Sequence, residues 1–203
     1  MINKKTPLIK QSVGAQYICF ATGIDPLAYA TDIEKTEVVK SIGTSESSES
    51  TKLYASGTIY QSITNQASTE VSVEVVAFVA ETLAKMRAET VDVGGLILSG
   101  GGIERPYFAY GKVVKLTNNN YRFEWFPKCQ LSSNTDDVET SEDAFKEQND
   151  TLTIMALPFN AAGDIKTYVQ TDTTNFPEWL TEDLFFSKPV LTPADLAGLQ
   201  PQG

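Results

Sequence analysis

From Ser68 to Val75 the residues alternate, with Thr69, Val71, Val73 and Val75 in one set and Ser68, Glu70, Ser72 and Glu74 in the other. Successive side chains of a strand point to opposite faces, so this stretch predicts a strand with a valine face to bury and an acidic, hydroxylated face in water. A sheet wetted on one side is characteristically antiparallel. The period then changes. Val79, Leu83 and Met86 fall at i, i+4 and i+7, with Lys85 and Arg87 beside the last of them, which predicts an amphipathic helix over 77–88.

Other stretches repeat the strand signal. Val13 to Ala21 is rich in aromatic and β-branched residues and ends at the turn chemistry of Thr22-Gly23-Ile24-Asp25-Pro26. A second short strand fits Lys35 to Ile42. Pro106–Leu116 and Tyr121–Phe126 flank Thr117-Asn118-Asn119-Asn120, whose asparagines tolerate left-handed backbone, and so predict a hairpin. A further hairpin is expected between Thr151–Leu157 and Ile165–Val169 across Asn160–Asp164, followed by a short helix near Pro177–Phe186. Glycines at 94, 95 and 100–102 bracket the apolar run Leu96-Ile97-Leu98 and read as punctuation.

Three stretches lack a face to bury. Residues 1–12 carry Lys4, Lys5 and Lys10 with Pro7 and read as an extended N-terminal arm. Residues 43–66, opening Gly43-Thr44-Ser45-Glu46-Ser47-Ser48-Glu49-Ser50, read as a long polar loop. Residues 187–203, with Pro189, Pro193 and Pro201, read as a C-terminal arm. The expected architecture is mainly β: an antiparallel sandwich or barrel-like domain over 13–186 with one flanking helix, the long loop and two arms.

Composition narrows the chemistry. The 203 residues, 41% of them hydrophobic, suffice for one core. Histidine is absent, which removes Ser-His-Asp and Cys-His nucleophiles and the usual proton shuttle near neutral pH. Cys19 and Cys129 lie in apolar, strand-like surroundings that predict buried free thiols. A formal charge of −10 disfavours binding to nucleic acid or an anionic membrane. No apolar run is long enough to span a bilayer, and no signal-peptide core follows Lys4 and Lys5, so a cytosolic chain without membrane association is expected.

No catalytic constellation emerges. The glycine-rich segment lacks both the Gly-Lys-Ser/Thr ending and the G-x-G-x-x-G spacing of phosphate cradles. Residues 136–150 hold seven acids against Lys146, a local −6, but without the order and central glycine of a calcium loop. Glu70 and Glu74, on one strand face, stand about 13 Å apart at the strand rise, too far for a glycosidase pair. Tyr121, Phe123 and Trp125 could form a stacking platform, yet alternating aromatics in a central hairpin favour core. The expectation is a non-enzyme without cofactor or metal.

A β domain with arms and a loop that lack their own core resembles an assembling subunit, because such segments gain order by lying on a neighbour. Lys4, Lys5 and Lys10 of the arm, and Leu53, Tyr54, Ile59 and Tyr60 of the loop, are the candidates for contacts between stacked copies.

The run Lys52-Leu53-Tyr54-Ala55-Ser56, the Glu70–Val75 strand with its helix, Pro106-Tyr107-Phe108-Ala109-Tyr110-Gly111, and Tyr121-Arg122-Phe123-Glu124-Trp125 come in an order that resembles the major tail proteins of long-tailed, non-contractile phages. The similarity spans roughly residues 13–186; the acidic 136–150 segment and the proline-containing tail depart from it. What the resemblance implies is a structural virion protein, assembled in the host cytoplasm as six-copy rings stacked into a tube. Its partners would be further copies of itself and the tape-measure, terminator and distal tail proteins, with DNA passing through unbound. Six copies at −10 each give −60 per ring, a sign that lets phosphate slide past. Glu70 and Glu74 are the candidates for the channel wall. The alternatives are a monomeric, adhesin-like surface-binding module and an enzyme working with carboxylates alone.

Overall fold

The computed structural model describes residues 6–55, 58–100, 104–136, 140 and 149–201, with the side chains of 48–55, 59 and 61–67 left aside. Strands run β1 Lys10–Ile24, β2 Leu27–Tyr29, β3 Glu34–Thr36, β4 Val39–Ala55 and β5 Thr58–Val75. After helix α1 Ala80–Met86 come β6 Thr90–Val91, β7 Ile97–Leu98, β8 Phe108–Leu116, β9 Asn120–Asp136, β10 Asp150–Ala156 and β11 Thr167–Gln170. Helices α2 Glu182–Phe185 and α3 Pro193–Ala197 close the order. The chain is mainly β with antiparallel sheets and short helices, in keeping with a β-sandwich-like fold.

Two compact units form from interleaved stretches: the first from 1–39, 109–127 and 166–203, the second from 40–108 and 128–165. In the first, β1 pairs with β2 and β3 and lies beside β8, β8 lies beside β9, and β11 pairs with residues 122–125 of β9. Its core gathers Tyr17, Cys19, Val113, Phe123, Trp125, Phe185, Phe186, Val190 and Leu199. The β8–β9 turn is the expected one: Asn118 and Asn119 both take positive φ, 60° and 56°, which suits the right-handed twist of the flanking strands. Gly111 lies where the aromatics crowd in, since a Cβ there would come within 2.8 Å of the Phe186 ring.

In the second unit, β10 pairs with β5 on one side and with residues 129–136 of β9 on the other, and β4 borders β5. The alternating strand behaves as its pattern requires: Val71, Val73 and Val75 are fully buried, with Ile154 opposite Val71 and Leu152 opposite Val73. Ser132 is the extra residue of a bulge against β10, and Arg105 Nη1 donates to the carbonyls of Leu131 and Ser132, both at 2.7 Å. Cys19 and Cys129 are buried free thiols, as their surroundings predict.

Several expectations are corrected. Residues 43–66 do not form a loop; the described part is strand, the outer halves of β4 and β5. The expected strand over 35–42 is divided between β3 and β4. The hairpin between 151–157 and 165–169 does not close, because both strands pair with the longer β9 instead of with each other. Helix α1 is shorter than 77–88 and buries Thr82, Ala84 and Met86, while Val79 serves as its exposed N-cap. The N-terminal arm is shorter than 1–12: β1 begins at Lys10, and Ile9 and Thr117 exchange backbone and hydroxyl hydrogen bonds.

The tail is the largest correction. Residues 187–201 are no free arm. Val190 and Leu199 enter the core of the first unit, and α3 opens with a capping box in which Thr192 and Asp195 bond each other's backbone N–H. Thr167 Oγ1 donates to the Val190 carbonyl at 2.6 Å, fastening the tail to β11.

Candidate assembly surfaces

The second unit carries a long two-stranded ribbon. Ser41 Oγ donates to Glu74 Oε2, and Gly43 lies against Ser72, which sets 41 opposite 74 and 43 opposite 72. Continued antiparallel pairing puts Glu46 opposite Thr69, where β10 reaches its last pair at Ala156. Beyond that point β5 continues through residues 58–68 with β4 as its neighbour. At about 3.3 Å per residue the extension is about 35 Å long. β4 is the last strand in the order, so among the described residues no further strand pairs with its outer edge. Such an edge presents N–H and C=O groups to any second strand, and an isolated two-stranded ribbon is only marginally stable in water. Its sequence is largely polar, rich in Ser and Thr, with Leu53, Tyr54, Ile59, Tyr60 and Ile63 as its large apolar and aromatic residues.

The expected contact residues distribute unevenly. Leu53, Tyr54, Ile59 and Tyr60 lie on this ribbon, with Tyr60 77% exposed. Lys10 is exposed at the start of β1 in the other unit, while Lys4 and Lys5 lie outside the described residues. The acidic 136–150 segment lies mostly outside them as well; its two ends, Asp136 and Asp150, face each other across β9 and β10.

Glu70 and Glu74 share the face of β5 opposite the buried valines. Glu70 is exposed. Glu74 is half-buried and held at both oxygens, by Ser41 at 3.1 Å and by Asn149 Nδ2 at 2.9 Å. The aromatic trio behaves as core, with Phe123 and Trp125 buried and Tyr121 packed against them.

In the first unit, ionisable groups serve packing. Lys112 and Glu124 form an interior pair at 3.2 Å, with Arg122 Nη1 3.5 Å from the other Glu124 oxygen. Burial pushes the Lys112 ammonium below its ordinary range, and the Glu124 carboxylate pulls the other way. A groove of about 310 Å³ opens between β11 and the tail, lined mainly by apolar side chains. Among the described residues no cluster of three His, Cys, Asp or Glu could hold a metal ion, and no helix is long and apolar enough to cross a membrane.

No protein-family model matches the chain, and no curated protein matches it either.

Proposed function

We propose that the chain is a structural subunit that polymerises with its own copies, and that the assembly is the tail tube of a long-tailed, non-contractile phage: stacked six-copy rings around an acidic channel. The observation that supports self-assembly most directly is the β4–β5 ribbon, with no further described strand on its outer edge. A ribbon of this length, continued past its last three-stranded pairing, gains cover by lying on another copy. The folded-back tail is no free arm that could reach across to a neighbour, so among the extended segments the weight falls on the ribbon and on the segment before Lys10. The tube itself rests on the sequence resemblance and on the charge sign, with Glu70 and Glu74 on the acidic wall.

The test replaces residues 47–68 by a two-residue Asn-Gly turn between Glu46 and Thr69, the length that closes an antiparallel pair. The variant is expected to keep the strand signature by circular dichroism and to form no tubes by electron microscopy under conditions where the unaltered chain does. Tubes from the shortened chain would overturn the ribbon's role. A persistent monomer of the unaltered chain at every concentration would overturn self-assembly and leave a surface-binding module.

A further inference from the structure

The short hairpin of β6 and β7 presents a compact apolar knob. Val91 pairs with Ile97 and Thr90 with Leu98, and the turn between them is closed by Asp92 N–H to Leu96 O and Gly95 N–H to Asp92 O, both at 2.8 Å. Gly95 takes φ +77°, which a glycine accepts at no steric cost. On this firm turn Val93 is fully exposed, with Val91, Leu96 and Leu98 between 46% and 61% exposed. So dense a group of exposed aliphatics in eight residues is what a contact surface looks like, not ordinary surface scatter.

The same chain carries a receptacle. The groove in the first unit is lined by Tyr168, Phe185, Val190, Leu191 and Leu196, with Lys166 among its lining residues. The knob carries an acid at its turn, Asp92, whose Oδ1 accepts the Val93 N–H at 2.7 Å, and the groove has a base, Lys166, among its lining residues, so the two patches are alike in apolar character and opposite in charge. The Asp195 carboxylate near the groove is already taken up by Thr192 and by the Leu191 and Thr192 N–H groups.

We propose that the β6–β7 knob of one copy docks in the groove between β11 and the C-terminal tail of the next copy. The contact joins two different patches of one chain, so it is head-to-tail and propagates or closes into a ring. It rests on the self-assembly part of the reading above and not on the tube.

Two single variants, Val93→Cys and Tyr168→Cys, test it, since both positions are exposed and the native thiols are buried. Under mild oxidation their mixture is expected to give a covalent dimer in at least tenfold higher yield than either variant alone; equal yields overturn the contact. Val93→Asp is expected to weaken self-association at least tenfold by sedimentation velocity without changing circular dichroism. Lys166→Glu should likewise weaken it, and pairing that variant with Asp92→Lys should restore it. Unchanged association of Val93→Asp overturns the contact even where electron microscopy shows tubes, leaving the tube reading intact. Cross-linking of the mixture without tubes sustains the contact and overturns the tube. Saturable binding of an apolar fluorophore that persists in the assembled protein overturns it too, by showing that the groove holds a small molecule.

Discussion

The Tyr17 hydroxyl donates to Glu182 Oε1 at 2.7 Å, a bond between residues 165 positions apart that ties β1 to α2 within one unit. Lys35 Nζ lies 3.2 Å from the same carboxylate oxygen, and the Tyr17 ring stacks on Phe186 at 3.9 Å. One aromatic thus holds β3, the tail-proximal helix and the core together. Tyr17→Phe keeps the stack and removes the bond, so it should cost about 1 kcal/mol, read from the urea midpoint.

The same cluster sets an alkaline limit. Burial first, then the bond to Glu182, push the Tyr17 phenol above its ordinary 10.0. Lys35 is raised above 10.5, chiefly by the Tyr17 hydroxyl and secondarily by Glu182, with burial opposing. Both groups keep their protons longer folded than unfolded, so their contribution is whole below about pH 10 and is lost as pH rises further. The urea midpoint should fall above that pH, and Tyr17→Phe should flatten the fall. An unchanged slope in the variant would remove Tyr17 from the account.

Glu124 matters more than its partner. Lys112→Met leaves Glu124 with Arg122, whereas Glu124→Gln takes the carboxylate from a lysine buried to 8% exposure. Stripping one member of an interior pair costs about 3–5 kcal/mol. Glu124→Gln is therefore expected toward that range and Lys112→Met below it. Equal losses by chemical denaturation would contradict the asymmetry.

Gly111→Ala places a methyl group 2.8 Å from Phe186 and 3.0 Å from Trp125. Overpacking of this kind costs about 1–3 kcal/mol. Tryptophan fluorescence from Trp125 and Trp179, both of which pack at this core, follows the unfolding, and no shift of the midpoint would mean the rings have room to retreat.

The tail is expected to behave as core. Removing residues 187–203 uncovers Phe185 and Phe186, so the thermal midpoint should drop and Asp195→Ala alone should cost about 1 kcal/mol through the lost cap. Burial works to raise the Asp195 carboxyl, but bonds from the Thr192 hydroxyl and the Thr192 and Leu191 N–H groups hold it below its usual value. Its contribution is present above the unfolded value near 3.8 and lost as pH falls through the lower folded one. An unaltered midpoint after truncation would restore the tail as a free arm.

Glu70 is the cleaner probe of the proposed channel wall, since Glu74 is tied to Ser41 and Asn149. Glu70→Lys should leave assembly intact and slow genome ejection from phage that carry it. Ejection at the ordinary rate would take Glu70 off the wall.

What the sequence determined by itself is whatever neighbouring residues settle: the alternation that buries Val71, Val73 and Val75, the Asn118-Asn119 turn, the thiols set in apolar strands, and from these a mainly antiparallel β chain. Each depends on a local period or a local dihedral preference, which a linear pattern carries. Tertiary structure decided the rest. Residues 44–55 have no apolar alternation, and their strand conformation comes from pairing with β5. Thr151–Leu157 and Ile165–Val169 looked like partners because they are adjacent in the chain, yet β9 offered both a longer ladder. Leu196 and Leu199, too sparse to show a period, have their place because Phe185, Phe186 and β11 offer a surface to pack against. Leu96 was legible only as part of a glycine-bracketed apolar run and Val93 not at all, since exposure is a property of the folded surface and has no signature in spacing.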